Sequence, residues 1–303
     1  MKKKTFDLFC LPSVKNIKQI TDKFLFPINL TKGKYQDLEF IFQDNNPEIL
    51  YNGVNLNCFS FVWLSSFWGC RDLAYAIGLY LDKFETPRTP VEKSTSKITD
   101  HMIFSLNNIQ APNTLFFNRH NIEKNLAQIE RVCGYPLIIK DIRGSRGSYS
   151  AYAATEKELI RKMKKLPKHR KYLFQKYIPN EYDWGVLVAD GVIVSGEKSY
   201  PSNGEFRNNV CNGAREVFVD SSDIPSKIKE MALKISSALG LSWARADIIV
   251  DKNTKKPYLL EVNRFPGITS GTSEVDGGYR FLSSKINHLL EKMNLKFQPG
   301  KNI

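Results

Sequence analysis

The 303-residue sequence predicts an α/β chain, with a small α/β unit at its amino terminus followed by two α+β units. Three observations lead there. Phe59, Phe61 and Trp63 alternate with Ser60 and Val62 as in a largely buried strand, and run into GCRDLAYAIGLYLDK, where Leu73, Ala74, Ile77 and Leu81 recur at helical spacing. From Lys97 onward, short strands and helices alternate through a unit of about 75 residues, the length of a small subdomain. Further on, strands pair through short turns: WGVLVADGVIVSGEK about Asp190-Gly191, and SWARADIIV with KPYLLEVN about DKNTKK. The expected units are 1–96, 97–174 and 175–303.

The elements follow in order. SSFWG, between the first strand and helix, is a short turn that either faces a ligand or merely connects. TPRTPVEKSTSK, Thr86 to Lys97, reads as a connector. DHMIFSLNNI suggests a helix and LFF a short strand. Asn121 is placed to cap a helix IEKNLAQIERVC that stops at Gly134 and Pro136. LIIKD is a strand, RGSRGSYS a loop and AYAA a short strand, after which Thr155 and Glu158 form a capping box for a basic helix ending near Leu166. KYLFQKYI reads as a strand through Ile178, stopped by Pro179. The loop Ser199 to Ala214 is polar and holds Arg207, Asn208 and Asn209 together. DIPSKIKEMALKISSALG is an amphipathic helix ending at Gly240, and a final helix lies within Gly278 to Lys292.

Composition narrows the function classes. A hydrophobic share of 42% with 25% charged residues is that of a globular protein rather than a disordered one. The net charge of +13 draws anionic partners: nucleotide phosphates, an acidic peptide or protein, or nucleic acid. A generally basic surface fits it as well, and nucleic acid is disfavoured because no aromatics stand at a recognisable spacing. Cys10, Cys58, Cys70, Cys133 and Cys211 are far apart and lack a CxxC pair, which argues against a disulfide framework or zinc site and for a reducing cytoplasm. MKKKTFDLFCLPSV mimics the front of a signal peptide, but Asp7 and Pro12 keep its apolar run too short. The aromatic run from Cys58 to Cys70 is too short to span a bilayer, so no membrane segment is expected.

The chemistry concentrates in LLEVNRFPG, Leu259 to Gly267. Side chains alternate across a strand, so Glu261 and Asn263 share one face while Leu260 and Val262 share the other. A turn symmetric about Thr254 sets Asp247 opposite Glu261. Two carboxylates and an amide oxygen are hard ligands suited to Mg²⁺. In RGSRGS, Arg143 to Ser148, glycines allow close backbone approach to an anion, though the loop fits neither Walker nor dinucleotide spacing. Lys140 adds a point charge for phosphate and Arg207 a guanidinium, together making a phosphoryl-transfer set. His101, His120, His169 and His288 are expected far from these motifs, in surface roles.

Ser96-Lys97, LIIKDIRGSRGS, LFQKYI, EYDW, GEFRNN, ARADIIV and LLEVNRFPG resemble, in order and spacing, the ATP-grasp fold, and within it the RimK-type glutamate and amino-acid ligases, over about Lys97 to Leu290. The resemblance implies an α+β ATP-grasp pair of subdomains that sandwich ATP, preceded by an α/β domain, and an ADP-forming carboxylate–amine ligase. ATP phosphorylates a carboxylate, and an amine attacks the acyl phosphate. By position, Lys97, Lys140, Gly144, Ser145, Gly147 and Ser148 would meet ATP phosphates. The backbone of Gln175, Lys176, Tyr177 and Ile178 would hold adenine, and Asp183 the ribose. Arg207 and Asn209, with Asn208 beside them, would face the γ-phosphate and intermediate. Asp247, Glu261 and Asn263 would bind one or two Mg²⁺, with Mn²⁺ as a substitute. The implied partners are a carboxylate and an amine, an amino acid or peptide, with an acidic peptide or protein and a homo-oligomer also compatible.

The chain departs from that pattern at three places. Lys176 stands where the family usually has Glu, Asp183-Trp184-Gly185 where it commonly has Asp-x-Arg, and Lys198-Ser199 where it has a basic pair. Fewer arginines then line the acceptor side for the acidic substrate usual in the family. The alternative reading is an ATP-binding regulatory module with this fold and little turnover.

Overall fold

A computed structural model describes residues 5–44, 46–92, 94–144, 147–202 and 213–292. The amino-terminal run that mimics a signal sequence is β1 (Phe6–Leu11), the central strand of a parallel sheet between β2 (Ile28–Lys32) and β6 (Phe61–Leu64). Both faces of β1 are covered, and its alternation sorts them. Phe9 and Leu11 pack with Ala74, Ile77 and Leu81 of α2 (Arg71–Lys83), while Phe6, Leu8 and Cys10 face Ile17 and Ile20 of α1 (Ile17–Thr21). A small antiparallel meander, β3 (Leu38–Gln43), β4 (Asn46–Tyr51) and β5 (Val54–Asn55), flanks it. Its tight turn is Asn52-Gly53, with φ of 50° and 75°. This Asn-Gly pair is as strong a hairpin signal as Asp190-Gly191, and the expected elements omit it.

The connector after α2 leads into α3 (Lys97–Leu106), started by a capping box in which Thr99 answers Ser96. A second antiparallel sheet has the order β7 (Thr114–Phe116), β10 (Tyr172–Lys176), β8 (Leu137–Asp141), β9 (Ala151–Ala153). It is backed by α4 (Leu126–Cys133) and α5 (Glu156–Lys165) through Ile129, Leu137, Ile139, Leu159 and Phe174. The helix expected from Asn121 starts later, because residues 123–125 form a 3-10 turn and Asn125 takes the cap position. β10 crosses the expected junction at 174 and ends at Lys176, short of Ile178.

The third sheet is antiparallel, in the order β13 (Arg215–Val219), β12 (Val192–Tyr200), β11 (Asp183–Ala189), β14 (Trp243–Val250), β15 (Pro257–Asn263). One face is apolar. Trp184, Val186, Val188, Ala244, Ala246 and Ile248 pack on Ile228, Ala232 and Ile235 of α6 (Ser226–Ala238) and on Phe104 of α3. On the other face, Leu187, Ala189 and Val194 join Phe281, Leu282 and Ile286 of α7 (Ser273–Lys292) in the same core as β1 and α1. α7 begins five residues before the expected Gly278. Gly277 and Gly278 lie inside it because a Cβ there would stand 2.1 Å from Val194 Cγ1 and 2.3 Å from Ile20 Cδ1, closer than atoms can approach. Among the described residues no helix is long and apolar enough to cross a membrane, and the four described cysteines are free thiols.

Candidate active site

The second and third sheets face each other across a cavity of about 560 Å³, large enough for a nucleotide. Its floor is the third sheet, where strand register places cleft-facing residues in rows. One row runs Glu197, Gly185, Asp247, Glu261; a second runs Ser199, Asp183, Ile249; a third brings Arg245 to Asn263. The predicted pairing of Asp247 with Glu261 is present. Directly beyond it the register slips, because Ile248 pairs with Leu259 and Leu260 is left over as a bulge. Leu259 therefore takes the core place with Val262, and Leu260 lines the cleft. The expectation that Leu260 turns inward is corrected by that extra residue.

Two lysines meet the carboxylates from the opposite wall. Lys97, at the start of α3, donates to the Gly144 carbonyl at 2.8 Å and stands 3.2 Å from Glu261 Oε2. Lys140, on β8, lines the same end of the cleft. Burial pulls its ammonium down to about 8, with Glu261 opposing and Lys97 adding to the shift. Lys97 holds Glu261 below the usual carboxylate range, while burial and the facing Glu261 push Asp247 well above it. The charge balance of this pair suits an added cation.

The glycine loop is tied at its base. Asp141 accepts from Arg143 N at 2.8 Å and from Arg170 Nη1 at 2.6 Å, and Lys97 N donates to Ile142 O at 2.9 Å. A Cβ on Gly144 would be 2.8 Å from Ser148 O, and Gly147 has φ 69°, so both positions require glycine. Gly144, Gly147 and Ser150 line the cleft; Ser148 is not among its lining residues, and Ser145 lies outside the described residues. Arg207, Asn208 and Asn209 also lie outside them.

At the other end Gln175, Lys176, Tyr177 and Ile178 edge a less polar slot with Ile138 and Leu260, and Asp183 stands near it. Gln175 is buried, donates to Thr114 Oγ1 at 2.9 Å and lies 3.3 Å from His101 Nε2. His101 is thus beside the site rather than remote. Burial, then Lys140, lowers it to about 4, so it is a neutral ring at physiological pH.

The sequence pattern leaves the left side of the floor unassigned. Glu197 lies over Gly185, whose Cβ would be 2.4 Å from Glu197 Oε1. Arg245 bridges Glu197 at 3.0 Å and the fully buried Glu274 at 2.6 Å. Burial raises Glu197 to about 7 against the pull of Arg245. The alternation of GEKSY and ARAD carries this signal, since Glu197 and Arg245 are each two residues from positions already assigned to the cleft face.

The family model for the RimK-like ATP-grasp domain matches residues 94–280. The chain belongs to the RimK-like ATP-grasp family. Among its curated relatives, a probable alpha-L-glutamate ligase of Shewanella halifaxensis is 30% identical over 236 residues, covering 76% of this chain and 49% of that one. Another, from Maridesulfovibrio salexigens, is 25% identical over 271 residues, covering 85% and 83%. The chain spans about half the length of the first of these relatives. Among solved structures, D-alanyl-alanine synthetase A from Vibrio cholerae superposes with a TM-score of 0.70 at 16% identity, covering 96% of this chain and 100% of that one. The VanG D-Ala:D-Ser ligase from Enterococcus faecalis gives 0.68 at 16%, covering 94% and 100%. These likenesses establish the ATP-grasp fold.

The residues present fit the groups this family uses. Asp247, Glu261 and Asn263 offer hard oxygen donors to Mg²⁺, although Asn263 Oδ1 already accepts from Phe265 N at 3.0 Å. Among the described residues no three His, Cys, Asp or Glu side chains group as a metal site by themselves. Asn180 Nδ2, a buried donor without a partner, lines the cleft near the less polar slot.

Proposed function

We propose that this RimK-like protein is an ADP-forming carboxylate–amine ligase of the cytoplasm, joining an amino acid to a peptide, protein or small-molecule carboxylate through an acyl phosphate. The observation that carries the reading is the convergence of Lys97, Lys140, Asp247, Glu261 and Asn263 at one end of a nucleotide-sized cleft. In this reading Lys97 and Lys140 bind phosphate oxygens and neutralise charge as the γ-phosphoryl group moves. The glycine loop covers the phosphates, the segment 175–178 takes adenine, and Asp183 takes ribose. Mg²⁺, bound by Asp247, Glu261 and Asn263, would supply further charge neutralisation between phosphate oxygens. Arg207 and Asn209 stabilise the tetrahedral species formed when the amine attacks, and the amide, ADP and phosphate leave. The amino-terminal unit, residues 1–96, then helps select the acceptor, with the two grasping units meeting after Ile178.

The test is ADP release with Mg²⁺·ATP, pooled amino acids and a cell extract, followed by mass spectrometry for a new amide. Glu261→Ala should lower turnover by about a hundredfold or more while leaving thermal unfolding cooperative. Failure to bind Mg²⁺·ATP at near-millimolar concentration would remove the reading. Lys176 and Gly185 favour one alternative, a regulatory module, which would bind ATP without releasing ADP for any amine and carboxylate tried.

A further inference from the structure

Resting on the ligase reading, the geometry points to a cation-selecting subsite at the Glu197 end of the cleft: the substrate held there carries an alkylammonium or guanidinium group beside its reacting group.

Three features converge. The first is a space exchange. Gly185 lies next to Asp247 in register, and the room a side chain would occupy there is filled by the Glu197 carboxylate, 2.4 Å from the position of the absent Cβ. A carboxylate therefore stands two strands from Asp247 in the same row, with no side chain from Gly185 between them. The second is charge. Glu197 and Glu216 line this end, Asp183 stands in the next row toward the less polar slot, and Arg245 is the lining cation there among the described residues. Arg245 gives Nη1 to Glu197 and Nη2 to the buried Glu274, which also accepts from Ser195 Oγ at 2.8 Å and Thr269 N at 2.8 Å, and its buried Nε has no partner among the described residues. Lys198 points to the other face of β12, 4.9 Å from the ring centres of Tyr182 and Trp184, so Ser199 and not a base faces the cleft. The third is an open valence. Glu197 is only 6% exposed, yet its Oε2 has no hydrogen-bond partner among the described residues. A buried carboxylate oxygen left unpaired costs energy that an arriving N–H donor recovers. An acidic side chain placed here would meet the Glu197 and Glu216 carboxylates.

Two sources supply that chemistry, a free basic amino acid or the lysine or arginine side chain of a peptide. The test is calorimetric titration of the full chain saturated with Mg²⁺·ADP, using lysine, arginine, a lysine-containing tripeptide, glutamate and alanine. One or more basic ligands should bind at least about tenfold more tightly than glutamate. Glu197→Gln, which keeps the shape over Gly185, should reduce that preference by about tenfold or more, and the exposed Glu216→Gln should reduce it in the same direction. Free amino acid and tripeptide arms identify the source. Equal or tighter binding of glutamate or alanine, no binding of any basic ligand, or a preference unmoved in both variants would overturn the inference. If Mg²⁺·ADP itself does not bind, the ligase reading falls; nucleotide binding without a basic preference removes the subsite alone.

Discussion

Lys140 links the charge of one side chain to nucleotide binding. Its ammonium titrates near 8, below the ordinary lysine range, because burial outweighs the help of Glu261 and Asp247. The phosphate-binding form is the protonated one, so binding is full below that value and is lost as pH rises through it. The Kd for Mg²⁺·ATP should be flat below about pH 7.5 and weaken by up to about tenfold per unit above about 8. Lys140→Arg keeps its charge throughout and should flatten the profile. A Kd independent of pH in the wild type would sink this assignment. Asp247 and Glu261 are legible as a pair from the sequence, although the turn is not symmetric about Thr254 and the bulge at Leu260 is what brings the two opposite each other. Alternation also puts Glu197 and Arg245 on the cleft face, but their pairing depends on an empty place at Gly185 that only the assembled sheet defines.

Elements carry the next set of constraints. The hairpin about Asp190-Gly191 and the helix stop at Gly240 follow local chemistry and are present; of the expected Thr155–Glu158 box, Thr155 accepts from Glu158 N while the Glu158 carboxylate accepts from Ala154 N instead. Readings that needed a count of residues within an element fare worse. The bulge at Leu260 shifts a face without changing composition, and the 3-10 turn before α4 shares the helical pattern that hid it. α7 shows how tertiary contact overrides propensity. Alanine at Gly277 would gain about 1 kcal/mol of helix propensity, whereas its Cβ would press into Val194 at 2.1 Å. Overpacking of that kind costs about 1–3 kcal/mol, and here the backbones of two elements must part. Gly277→Ala should lower stability by about 1–2 kcal/mol in urea unfolding, the reverse of the propensity scale, and by more than Gly278→Ala, where the end of the Ile20 side chain can shift. A stabilised variant would contradict the close packing.

The whole molecule is held by charges from distant stretches of the sequence. Arg264 donates from Nε to Glu92 at 2.8 Å and from Nη1 to Asp100 at 2.9 Å, and Arg71 meets Glu92 at 2.9 Å. All four are buried, and Arg264 lies against Trp68, which also stands beside Lys97. The cluster fixes the strand bearing Glu261 and Asn263 against the helix that starts at Lys97. Arg264→Met strands the buried Asp100 and leaves Glu92 to Arg71 alone, and should cost about 3–5 kcal/mol, while joint replacement of Arg264 and Asp100 by apolar residues of similar volume, which keeps the Arg71–Glu92 pair, should recover most of it. Urea denaturation of both variants decides this, and equal losses would refute it. No sequence pattern announces such a cluster, because residues 71, 92, 100 and 264 become neighbours only after three units have docked. The shared core makes the same demand on time. Phe6, Leu8, Phe61 and Trp63 wait for Phe281, Leu282 and Ile286, which leave the ribosome more than two hundred residues later. At about 5–20 residues per second that delay is tens of seconds. At first α1 alone lies over that face of the first-made sheet, so part of an apolar surface stays open to solvent until the later strands and the last helix arrive.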